Sequence, residues 1–180
     1  TTTTIEVKVA TKVSGQHRYH GSGSSLGYVL DDVQSPFLTL TPGRTYRFDT
    51  SDGSNSGHPF RFYLDVDKTY AYTTGVTVAG TAGNSGSYTE ITVSDTTPDV
   101  LHYQCSAHGK MGNAVTTNSN TVNTPHDAVF EGLLNAKGNV DLGDSTSDTI
   151  TATGRFDSDL LPSTDGARDL GSSDREWQDL

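Results

Sequence analysis

Across residues 5–115 the apolar side chains recur with a period of two, and this constrains the fold more than anything else in the chain. Ile5, Val7 and Val9 alternate with Glu6 and Lys8; Tyr46 and Phe48 alternate with Thr45 and Arg47; Thr89, Ile91 and Val93 share one parity. Successive side chains of a strand point to opposite faces, so each run predicts a half-buried strand. Further short strands are expected at residues 28–30, 37–40 and 114–115, with a turn at Pro42-Gly43. Composition agrees. Thr favours strands, Ser, Gly and Asp favour turns, and no helical period competes. Apolar residues make up only 32%, but Tyr and Phe concentrate between Phe37 and Tyr103, enough for a core.

Two of these runs carry chemistry. His58, Phe60, Phe62 and Leu64 share a parity, with Arg61 and Tyr63 on the other, so His58 is expected on the aromatic, core-facing side at a strand's start. Leu101, Tyr103 and Cys105 share a parity as well, which turns Cys105 inward at a strand's end; His102 takes the outward parity and reads as surface. Between these runs VAGTAGNSGSY reads as a glycine-rich loop. Short strands punctuated by turns predict a β-sandwich over residues 1–118. The polar, proline-containing stretch after it reads as a linker, 119–138. Residues 139–180 form a third, acidic segment with too little apolar surface to fold alone. LGDSTSDTI and LGSSDREWQDL both open with Leu-Gly-X-Ser, a weak repeat, and the stop soon after Trp177 reads as a cut through a longer protein.

The net charge is −10, and residues 139–180 supply −7 of it. An acidic chain repels phosphate backbones, which argues against nucleic-acid binding. The acidic end reads first as a solvated surface, with divalent-cation binding by its Asp clusters as the sharper alternative. One cysteine, Cys105, forbids an internal disulfide and leaves the redox compartment open. No apolar run is long enough to cross a bilayer, so no membrane insertion is expected. Asp31-Asp32 and Asp65/Asp67 read as surface acids at strand ends rather than a catalytic pair. With no Ser-His-Asp order and no phosphate-binding glycine loop standing out, the chain is not expected to be an enzyme. His17 and His20 have i, i+3 spacing, but in HRYHGSGSSLGY they read as surface-loop residues.

His58 followed by Cys105-Ser-Ala-His108-Gly-Lys-Met111 resembles the copper site of cupredoxins, and LTLTPGRTYRFD and VLHYQC resemble that family's strands. The resemblance implies an all-β, cupredoxin-like Greek-key β-sandwich. It also implies copper held by His58, Cys105 and His108, with Met111 as a distant fourth ligand. A soft thiolate with two imidazoles and a weak axial thioether is the donor set that suits such a centre. Two positions depart from the plastocyanin-like pattern: only two residues separate His108 from Met111, and Pro59 stands where Asn is common.

The segment from NVDLGDSTSDTI to LPSTDGARDLGSSDREWQDL resembles fibre proteins of tailed phages, especially cyanophages. SNSGHPFRFYLD with YQCSAHGKMGNAV resembles cupredoxin-like domains found in virion proteins of such phages. The resemblance implies a structural protein of the phage particle, a tail or capsid appendage. It would be a homotrimer, bound to other virion proteins and reaching toward the host-cell surface, with 139–180 as an extended, fibre-like β or irregular segment. Packing between chains would centre on Ile150, Phe156, Leu160, Leu161 and Trp177. The alternative function is a type-1-like copper-binding or electron-transfer protein.

Overall fold

The computed structural model describes residues 2–119, 130–143 and 145–166. The chain divides into two units, Thr1–Val129 and Phe130–Leu180.

The first unit is all-β. Its strands are β1 (Thr2–Thr11), β2 (Leu26–Leu30), β3 (Val33–Gln34), β4 (Leu38–Thr39), β5 (Thr45–Asp49), β6 (Phe60–Tyr63), β7 (Ala71–Tyr72), β8 (Val76–Ala79), β9 (Tyr88–Thr92), β10 (Val100–Cys105) and β11 (Asn113–Thr116), with one 3-10 turn at Gly53–Asn55. They form two sheets, ordered β3-β2-β1-β5-β9-β8 and β4-β11-β10-β6-β7. Each sheet is mixed, because β1 runs parallel to β5 and β4 parallel to β11. This architecture is consistent with the cupredoxin-like sandwich expected from the sequence.

Turn chemistry sets the connections. Asp31 and Asp32 form the two-residue loop between β2 and β3, with φ of 43° and 65°. Two positive φ values in succession suit a hairpin whose strands twist right-handedly, and Asp tolerates them. Thr41-Pro42-Gly43-Arg44 closes with an Arg44 N–H to Thr41 carbonyl bond of 3.3 Å, Gly43 taking φ of 79°. Proline at the second position and a positive-φ glycine at the third are what that turn requires.

The core lies between the sheets and centres on Phe60. Its ring stacks on Phe48 of the other sheet (centroids 4.6 Å) and on Tyr103 of its own (5.3 Å), and tilts against Tyr28 at 5.1 Å. Phe62, Leu101, Cys105, Ile91, Val7 and Val115 belong to the same cluster, which is drawn entirely from the first unit. The sequence pattern missed three short strands, β3, β7 and β8. Val78 and Ala79, read as the start of a glycine loop, instead pair with Thr89 and Tyr88. Phe37, read as strand, precedes β4 and is exposed.

In the second unit the described residues form no helix or strand. The first copy of the Leu-Gly-X-Ser phrase contains a turn, in which Asp148 N–H donates to the Ser145 carbonyl and Asp148 Oδ2 accepts from Ser145 N–H, at 3.0 and 3.1 Å. The second copy, with Trp177, and half of the expected linker (120–129) lie outside the described residues.

Truncating Phe60 removes the ring that joins both sheets. Phe60→Ala is expected to cost about 3–5 kcal/mol, read as a lower urea midpoint; a loss within experimental error would contradict this account of the core.

Candidate metal centre

β6 and β10 are neighbours in the five-stranded sheet, in antiparallel register with Cys105 opposite Phe60. His58 precedes β6 by two residues and Cys105 ends β10, so both side chains arrive at one end of the sandwich. The segment after β10 returns through His108 to Met111 before β11 begins. Ligand atoms of His58, Cys105 and His108 all lie within 4.8 Å of one another. Cys105 Sγ is 3.6 Å from His108 Nδ1 and 3.9 Å from His58 Nδ1, and the imidazole centroids are 4.6 Å apart. Among the described residues this is the one such cluster of His, Cys and acidic groups.

The spacing suits a metal ion. Bonds of about 2.0 Å to imidazole nitrogen and about 2.3 Å to thiolate sulfur hold those atoms about 3.5–3.7 Å apart at angles between tetrahedral and trigonal. The His108 separation of 3.6 Å falls in this range, and the His58 separation of 3.9 Å lies just beyond it. Cys105 is fully buried, His58 half-buried and His108 exposed, so the cluster runs from the core to the surface. Met111, the fourth residue of the expected ligand set, is fully buried in the same hydrophobic cluster as Cys105.

Each arm is pinned by its backbone. His58 N–H donates to the Asn55 carbonyl at 2.8 Å, and the His58 carbonyl accepts the Tyr28 hydroxyl at 2.9 Å. Asn55 is itself fully buried, its Nδ2 donating to the carbonyls of Val7 and Asp52 at 2.6 and 3.2 Å. Pro59, at the position where the family pattern commonly has Asn, offers its carbonyl to Ser106 N–H at 3.0 Å, tying the histidine arm to the cysteine arm. Lys68 reaches over from the β6–β7 connection, its Nζ donating to the carbonyls of Cys105 and Ser106 at 3.0 and 3.2 Å. At the far end of the loop Gly112 is required, because a Cβ there would collide with the Tyr103 carbonyl.

Burial sets the protonation tendencies. His58 is held below its ordinary 6.5 by burial and then by the neighbouring His108. The Tyr28 hydroxyl is pushed well above 10.0, chiefly by burial and then by Cys105 beside it.

Sequence reasoning missed Tyr28, Asn55, Lys68 and His17 as supports of this region. His17 is buried, not on a surface loop. Its Nδ1 accepts Tyr19 N–H at 3.1 Å, so Nε2 carries the proton that Met111's carbonyl accepts at 3.2 Å. The one signal was Gly27, where any Cβ would strike the His17 ring. His102 is also not a free surface group: its Nδ1 is buried without a hydrogen-bond partner.

No family model and no curated protein matches the chain. Solved structures that match it include the copper protein rusticyanin and a methionine-to-glutamine variant of rusticyanin. Each is 18% identical, covering 64% of this chain and 78% of the other, with a TM-score of 0.33. None of these findings points to a phage or tail-fibre protein. At this degree of likeness the functional reading has to come from the residues.

His17 and His102 are both held below 6.5, mainly by burial. Lys12 and His20 lower His17 further while the Met111 carbonyl raises it. Arg18 lowers His102 and Asp65 raises it. The unfolded chain therefore binds these protons first, and stability falls as pH drops below about 6.5. Urea midpoints of the metal-free protein at pH 7.5 and 5.5 are expected to show the loss; in a His17→Gln, His102→Gln variant the pH slope should shrink. An unchanged slope would contradict the assignment.

Proposed function

We propose that the first unit is a copper-binding module of the type-1 kind, suited to carrying one electron. This was the secondary reading of the sequence, and it is now the better supported one. The observation that carries it is the convergence of Cys105 Sγ with the Nδ1 atoms of His58 and His108. A thiolate and two imidazoles form a borderline-soft donor set that favours copper over hard cations. Copper, when bound, supplies a reversible one-electron couple.

The chain's own part is to hold those donors. Cys105 sits in the apolar core and His58 is fixed through both its amide and its carbonyl, so the two donors stay in place whatever the ion's charge. Little rearrangement is then needed when one electron arrives or leaves. Exposed His108 gives the cluster an edge toward solvent. Met111 is the proposed fourth, weak ligand.

Metal-free protein given one equivalent of Cu(II) is expected to develop an intense visible thiolate-to-copper absorption. Cys105→Ser should abolish the band and lower copper affinity at least tenfold, the scale seen when a metal site loses even its supporting contacts. A colourless complex, or Cys105→Ser binding copper as the parent does, would contradict the ligand set.

A second reading concerns the second unit, and one observation favours it. Phe130, Leu133, Leu134, Ile150, Phe156 and Leu161 are each more than 60% exposed. Packing against other chains would bury these side chains, which the described residues of this unit leave exposed. We infer that this unit mediates self-assembly, as a fibre-like appendage would, with a trimer as the expected state. Sedimentation of the full chain against a version ending at Ser119 tests this. The full chain should sediment as a trimer and the shortened one as a monomer; two monomers would refute it.

A further inference from the structure

The segment HGSGSS, residues 20–25, lines an open pocket of about 320 Å³ beside the end of β1. Its walls include Lys12, His20 and the hydroxyl-bearing Ser22, Ser24 and Ser25. Gly21 and Gly23 adopt φ of 76° and 69°, which turns the backbone back on itself twice in three residues. The amides of Gly21, Gly23 and Ser25 find no acceptor among the described residues. They alternate with the committed amides of Ser22 and Ser24 and sit on exposed residues, where an anion could reach them; backbone N–H groups in such turns are anion donors.

Charge points the same way. Lys12 is only 5% exposed, an unusual state for a lysine in a chain of net charge −10. Its ammonium donates to the carbonyls of Tyr19 and Ser22 at 3.0 and 2.7 Å, which leaves one of its three protons uncommitted. Lys110 stands close enough to repel it, and donates to Ser22 Oγ at 3.2 Å. Among the described residues the ion pairs involve Lys8 and Arg47, and none reaches Lys12 or Lys110. Two ammonium groups are thus gathered beside a glycine-rich loop with no carboxylate to offset them.

We propose that this pocket binds a small tetrahedral oxyanion, such as inorganic phosphate or the phosphoryl group of a phosphomonoester, between the 20–25 backbone amides and the Lys12–Lys110 pair. The anion relieves the repulsion between the two lysines and takes up the idle amides. Its site adjoins the loop that bears His108, because Ser24 N–H donates to the Gly109 carbonyl at 3.0 Å, but its occupancy does not require a metal.

The test is an amide-resolved NMR titration of the full, metal-free chain with inorganic phosphate, against sodium chloride at matched ionic strength. Phosphate should produce saturable shifts centred on Gly21, Gly23 and Ser25, half-complete at about millimolar concentration. Lys110→Gln should weaken binding about fivefold, the worth of one partly screened charge contact. Glycerol phosphate in a parallel titration distinguishes the sources: tighter binding than phosphate indicates a phosphomonoester, and equal or weaker binding the free ion. Shifts that grow linearly, that chloride reproduces, or that Lys110→Gln leaves unchanged would overturn the proposal.

Discussion

The register between β6 and β10 is the constraint on which the rest of the first unit depends. Opposing Cys105 to Phe60 puts the cysteine at the sheet's end, two residues from the histidine that precedes β6. A slip of one residue would turn every side chain of β10 to the other face, moving Leu101, Tyr103 and Cys105 out of the core together. Burial of those residues beside Phe60 and Phe62 therefore holds the register, and the register assembles the donors. Core packing and site geometry are one arrangement seen at two scales.

Around that arrangement the loops act as braces. Asn55 spends its amide on Val7 and its carbonyl on His58, so it connects β1 to the histidine arm. Tyr28 reaches the same residue from β2, and Lys68 clamps the first two carbonyls of the cysteine arm. The far side of that arm is held by residues 17–25, through His17 on the Met111 carbonyl and Ser24 on that of Gly109. These contacts hold the donor arms in one geometry before an ion arrives, although Asn55 Oδ1 itself is buried without a hydrogen-bond partner.

Much of this was legible in the sequence because alternation is a local signal. The parities of His58-Phe60-Phe62 and of Leu101-Tyr103-Cys105 are the faces the structure buries, and their strand ends are where the donors meet. What stayed hidden depends on partners distant in sequence. His17 is buried because a loop packs it over Gly27, and nothing within a few residues of it says so. His102 lies on the outward face, yet packing there still covers its Nδ1. β8 escaped notice because its residues stay partly exposed at a sheet edge, where alternation is weak and glycines follow closely. The resemblance to phage virion proteins rested partly on phrases in the first unit, which the fold accounts for without a virion, and partly on phrases in the second, where no helix or strand among the described residues lends it structural weight.

The central claim is that one sulfur and two imidazole nitrogens meet on a single copper ion. X-ray absorption at the copper edge of the loaded protein tests it most directly. The account predicts one short sulfur scatterer and two nitrogen scatterers from imidazole rings. A shell of nitrogen and oxygen alone, with no short sulfur, would contradict it.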